Sequence, residues 1–258
     1  MKKRNDPVLV VFFLILLRVT PFELAVMLAR LLVRMYTVIS PIARSQLRKA
    51  KETLGQGRFP AKAYINHAAF NLTLAARMGT GFSRELTERV VIEGEENVRT
   101  LKDRGDSAVV ATFHYGPWEL LAEVFTKKGY PIAALVGRQR MPIFEGYLAA
   151  LRRRVGLLTV NDLSKASRAL GNGMFLATLL DKTRRAKGGA CGLSYSDYTV
   201  SVIPERLAKR TRTALLPVIC RFRNRRLEIT IGSSDQNLRE FFAPFFAETP
   251  FEWLVWGE

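Results

Sequence analysis

His114 closes the apolar run Ala108-Val109-Val110-Ala111-Thr112-Phe113, and a carboxylate, Glu119, follows five positions later. A histidine within reach of a carboxylate is a general base with its orienting group. Such a pair takes a proton from a hydroxyl, a step that contributes roughly 10²–10⁴-fold in rate. The elements that would position the two can be read locally. The run predicts a strand over 108–113 that delivers His114 to its carboxyl end, with Gly116 and Pro117 turning the chain. Pro117 at a first helical position would then place Glu119 in the opening turn of a helix over 117–128. The competing reading is a surface or core histidine with a carboxylate nearby by chance, and the rest of the chain must decide between them.

The 258 residues suffice for one large α/β domain with an N-terminal extension. A formal net charge of +17 calls for an anionic partner: nucleic acid, an anionic lipid surface or an acidic protein. With 48% hydrophobic residues and 16 Phe, and neither zinc-ligand spacing nor an RNA-recognition signature, the composition favours a membrane surface. Cys191 and Cys220 are too few for a disulfide framework, which points to a reducing compartment.

Lys2, Lys3 and Arg4 precede an uncharged run over 7–17. As a helix this run is about 16 Å long, half of the ~30 Å hydrocarbon core, so it inserts partway but does not span. Thr20-Pro21-Phe22-Glu23 reads as a capping box that opens an amphipathic helix to about Tyr36. Residues 1–36 are therefore expected to form a membrane anchor and 37–258 the functional domain. For 7–17 lipid contact is favoured; for 21–36 burial on the domain competes equally. Ser40-Pro41 opens a basic helix with Arg44, Arg48, Lys49 and Lys51, and a further helix from Pro60 to about Met78 carries His67, read as structural.

Farther along, strand signals at 90–92, 108–113, 131–136, 157–160 and 174–180 alternate with helix signals at 95–104, 117–128, 142–154 and 163–171. Two strands at 215–220 and 227–231 could form a hairpin. The pattern predicts an α/β fold, a mixed central sheet flanked by helices.

Taken together, these stretches resemble the bacterial late lipid A acyltransferases, the lauroyl and myristoyl transferase family that also includes acyltransferases of phosphatidylinositol mannosides. That family has a His, a Gly-Asn-Trp triplet and a Glu or Asp five residues after the His; this chain has His114-Tyr115-Gly116-Pro117-Trp118-Glu119, with Pro in place of Asn. A strand-ending Arg, a Pro and an Arg-x-Arg-x-Gly follow in order as Arg138, Pro142 and Arg152-Arg153-Arg154-Val155-Gly156. Next come an apolar strand ending in Asp181, then Pro204, Leu207-Ala208 and Thr211, and a C-terminal aromatic run that includes Trp253 and Trp256. The chain departs from the family at Lys182, where Gln is usual, and at Leu193-Ser194-Tyr195-Ser196, where Phe-Phe-Gly is usual. Both departures lie near the expected substrate groove.

The resemblance implies a glycerolipid acyltransferase-like fold and transfer of an acyl chain from a thioester to a hydroxyl of a lipid A-like or other glycolipid. It implies His114 as base, Glu119 as its orienting carboxylate and Arg152 as donor to the developing oxyanion, although a backbone N–H after His114 could serve instead. Arg138 and Arg154 would bind substrate, and Asp181 would orient a basic residue of the groove. No metal or other cofactor is required. The donor would ride on acyl carrier protein or coenzyme A, both anionic, facing the basic runs 182–187 and 206–212. The enzyme would sit on the cytoplasmic face of a bacterial inner membrane. Alternative readings are a glycerophospholipid acyltransferase of the lysophosphatidate type and a non-catalytic protein that binds anionic lipid on the same fold.

Overall fold

The computed structural model describes residues 7–54, 60–137, 142–181 and 200–254. Arg138, Cys191, Trp256, the basic runs 2–4 and 182–187, and the stretch 193–196 lie outside the described residues. A seven-stranded mixed sheet carries the fold. Its strands are β1 (Val91–Glu93), β2 (Ala108–Thr112), β3 (Ile132–Leu135), β4 (Leu158–Val160), β5 (Phe175–Leu179), β6 (Ala214–Arg223) and β7 (Arg226–Ile231), in the spatial order β1-β7-β6-β2-β5-β3-β4. The five from β6 to β4 run parallel. β7 returns antiparallel to β6 through the expected hairpin, and β1 runs parallel to β7.

Every residue of β2 is buried, as a central parallel strand covered on both faces requires. Its side chains alternate between two cores. Ala108 and Val110 join a cluster with Leu120, Leu121, Val124 and Phe125 of the helix Leu120–Lys127. Val109 packs with Ala166, Ala169 and Leu170 of the helix Leu163–Gly171 and with Leu207 and Ala208 of the helix Ile203–Thr211. Ala111 and Phe113 continue that second face toward Phe241, Phe242 and Phe246 of the helix Leu238–Glu248.

The N-terminal third is helical: α1 (Pro7–Val19), α2 (Phe22–Ile39), α3 (Pro41–Leu54), α4 (Ala61–Ala76) and α5 (Gly81–Glu88). After β1 come α6 (Glu95–Asp103), α7 (Leu120–Lys127), α8 (Pro142–Arg154), α9 (Leu163–Gly171), α10 (Ile203–Thr211) and α11 (Leu238–Glu248). The capping box expected at Thr20 does not form. Pro21 stands at the N-cap of α2 with no side-chain bond, and the Thr20 hydroxyl instead donates back to the carbonyl of Leu16 at the end of α1.

α1 and α2 pack on the domain. Leu14, Leu17, Ala25 and Ala29 are buried against Ala69 and Ala76 of α4. Two arginines cross-tie the helix ends, supplying donors to carbonyls that a helix terminus leaves without partners. Arg18 donates to the carbonyls of Ala76 and Met78 at 2.8 and 2.9 Å, and Arg77 donates to those of Leu17 and Thr20. Among the described residues no helix is long and apolar enough to cross a membrane.

Candidate active site

β2 and β5 are parallel neighbours in a register that sets Thr112 opposite Leu179. Two residues beyond each stand His114 and Asp181, so the sheet itself brings them side by side. The backbone N–H of Leu180 donates to the carbonyl of Thr112 at 2.8 Å and carries the pairing to the edge of the site. His114 Nδ1 then lies 2.7 Å from Asp181 Oδ1, and the His114 backbone N–H donates to Oδ2 at 2.9 Å. Asp181 is wholly buried, while a small part of the imidazole remains open. Burial would raise the Asp181 carboxyl. The adjacent His114, the hydrogen bonds from its ring and backbone, and one from Trp253 outweigh that and hold it below the usual carboxylate range.

The turn after His114 is tight. Gly116 has φ +57°, and a Cβ there would collide with the carbonyl of Cys220 on β6, so glycine alone lets the turn lie this close. Leu120 and Leu121 donate their backbone N–H groups to Pro117 and Trp118 three residues back, and α7 begins only at Leu120. Pro117 is thus in the turn and not at a first helical position, contrary to expectation, and Glu119 is the N-cap residue. Its side chain meets α8: Arg152 Nη2 donates to Glu119 Oε1 at 2.9 Å, with Nε 3.5 Å from Oε2. The carboxylate on the imidazole is therefore Asp181, and the one expected there, Glu119, is held by Arg152. Trp118 closes the other side of His114 edge-on, with ring centroids 5.0 Å apart.

The remaining site residues divide. Arg154, at the exposed end of α8, acts electrostatically on Arg18 and Tyr147. His67 is half-buried on α4, and desolvation first, then the charge of Arg223, depresses its pKa to about 3, which keeps the ring neutral. Asn71, one turn on, links it to the site: its amide donates to His67 Nε2 and to the carbonyl of Gly116, both at 2.8 Å. Asn71 also lines a small pocket with Leu74, Ala75, Pro117, Trp118, Glu119 and Leu120.

Sequence reasoning passed over Asn71 and gave Trp253 no role in the site. The helical spacing of Asn71 from His67 was the available signal for the first; nothing local pointed to the bond from Trp253 Nε1 to Asp181 Oδ2 at 2.9 Å.

No curated protein matches the sequence. The model of the bacterial lipid A biosynthesis acyltransferase family matches residues 5–237, a stretch that holds His114, Glu119, Arg138, Arg152, Arg154 and Asp181, and the chain belongs to that family.

Proposed function

We propose that this protein transfers a fatty acyl chain from a thioester, on acyl carrier protein or coenzyme A, to a hydroxyl of a lipid A-like glycolipid, with the His114–Asp181 pair as general base. The observation that carries this reading is the 2.7 Å contact between His114 Nδ1 and a buried, ionised carboxylate. Facing a carboxylate, Nδ1 keeps its proton, and Nε2 offers its lone pair to the acceptor. As the hydroxyl oxygen bonds to the thioester carbonyl carbon, its proton passes to Nε2. The C–S bond then breaks, the leaving thiolate takes that proton, and ester and free thiol result.

Arg152 supports this reading as the donor to the oxyanion. The backbone N–H groups of His114 and Gly116 are both occupied, by Asp181 and by the carbonyl of Glu252, whereas Arg152 spends only part of its five-donor guanidinium on Glu119. Arg138 and Arg154 are proposed to meet anionic groups of the substrate.

Membrane association is part of the proposal. Among the described residues, eleven of the fourteen exposed large apolar side chains fall between Phe12 and Ile42, and Arg44, Arg48, Lys49 and Lys51 of α3 are exposed next in the chain. A ridge of that composition suits the boundary of an anionic leaflet, here the cytoplasmic face of an inner membrane.

The direct test is acyl transfer by purified protein from lauroyl-coenzyme A or lauroyl-acyl carrier protein to a detergent-dispersed acylated disaccharide, followed by mass spectrometry. One added acyl group, absent with His114→Ala, is expected. Undiminished transfer by that variant would overturn the reading.

A further inference from the structure

Asp181 accepts from three donors, and one of them comes from beyond residues 5–237, the stretch that the family model matches. Oδ1 takes the His114 ring N–H; Oδ2 takes the His114 backbone N–H and the indole N–H of Trp253, each at 2.9 Å. Trp253 is almost completely buried, with its ring 5.6 Å from Phe113 and 4.8 Å from Phe246.

The segment that carries it, residues 249–254, is bonded to the histidine's own strand extension. Leu254 donates its backbone N–H to the carbonyl of His114 at 2.9 Å, Gly116 donates to the carbonyl of Glu252 at 3.1 Å, and Tyr115 pairs with Trp253 between them. The start of the segment is pinned from β6. Arg223 forms an ion pair with the buried Glu252 and donates to the Thr249 hydroxyl at 3.1 Å. Without the indole, Oδ2 keeps only a backbone donor, and the carboxylate regains freedom about its own bond. The indole adds no charge, so what it supplies is orientation.

We propose that Trp253 is a positioning residue: its indole N–H locks the Asp181 carboxylate in the orientation that meets His114 Nδ1, so that the strap 249–254 completes the base. The proposal rests on the His114–Asp181 reading above. A 1 Å error in such a group carries a large rate cost, and Trp253 would act through its bond to Asp181.

The test uses the full chain in detergent, with Trp253→Phe and with benzothienylalanine at position 253, which keeps the indole outline and replaces the N–H by sulfur. Proton NMR without substrate reads the Nδ1–H resonance, far downfield when bonded to a carboxylate. Of the two histidines in the sequence, His114 alone is bonded to a carboxylate among the described residues. We expect both variants to lose this resonance to solvent exchange, with kcat for lauroyl-coenzyme A and a dispersed acyl disaccharide lowered about tenfold and KM unchanged. A resonance unchanged in both variants overturns the proposal whatever the turnover, as does its loss with kcat intact. Because the resonance is read without substrate, failure of the catalytic reading is seen separately, as full turnover by His114→Ala.

Discussion

Arg152 grips Glu119 across the gap between α8 and the turn that follows His114, at 2.9 Å and with both groups mostly shielded from water. Removing either partner leaves a poorly solvated charge, so the two should fail as a unit. Arg152→Ala and Glu119→Ala are each expected to lower kcat by roughly 10²–10³-fold, the range for losing an oxyanion donor. The double variant should be little worse than either single one. Additive losses in a double-mutant cycle would show independent roles.

Asp181→Asn keeps the size of the side chain while removing its charge and offering the wrong partner to Nδ1. In a well-studied triad the equivalent change lowers kcat about 10⁴-fold, and a loss of that order is expected here. Stability should respond as well. The folded carboxyl titrates below its ordinary value of 3.8, so its contribution is present above that pH and lost as pH falls through the lower folded value. Thermal unfolding followed as pH falls through and below 3.8 should accordingly show a smaller acid-side decline in Asp181→Asn than in the parent.

His67 has the same sign over a higher pH window. Its folded pKa of about 3 lies below the ordinary 6.5, so the unfolded chain binds the extra proton between those values and stability falls as pH falls through that window. The limiting slope is about 1.4 kcal/mol per pH unit. Denaturant unfolding of His67→Gln should lack that component, and ring resonances of His67 should remain those of neutral imidazole down to pH 4.

Gly116→Ala forces a side chain into a left-handed position against the Cys220 carbonyl. A loss of about 2 kcal/mol or more is expected in chemical unfolding. Activity should fall farther than stability alone explains, since the turn is pushed off β6 with His114 attached. Normal activity in the folded fraction would show that the turn tolerates the shift.

Met27→Glu with Leu31→Glu places two charges on the exposed ridge of α2 and touches no part of the sheet. Sedimentation with anionic vesicles should weaken about tenfold or more, with the unfolding midpoint unchanged. Retained binding would assign the membrane face elsewhere.

The sheet was legible because its strands are short apolar runs bounded by Gly and polar turns, and each of β1 to β7 lies close to a stretch singled out by pattern. His114 and Asp181 were each recognisable at a strand end. Their pairing was not, because it depends on β5 lying beside β2 ahead of β3 and β4, and strand order is written in no local pattern. Glu119 misled through proximity: a tight turn directed its side chain to α8, where a regular helix from Pro117 had been expected. The helix α11 escaped notice because Pro244 interrupts an aromatic run whose Asn237 cap and spacing of Leu238, Phe241, Phe242 and Phe245 are otherwise helical. The uncharged run 7–17 gave no sign of which side of α1 packs on the domain; Leu14 and Leu17 meet the small residues of α4 there, beside the Arg18 and Arg77 ties.

The register of β2 on β5 separates what can change from what cannot. Between His114 and the start of β5 lie α7, β3, α8, β4 and α9, and loops among them can lengthen or shorten without altering the pair, because the sheet measures its position and the intervening chain does not. One residue inserted within β5 would instead turn Asp181 to the opposite face and undo it. The fold thus keeps the His114–Asp181 pair on a fixed ruler and leaves what surrounds it, Glu119 and Arg152 among them, on segments that can be rewritten.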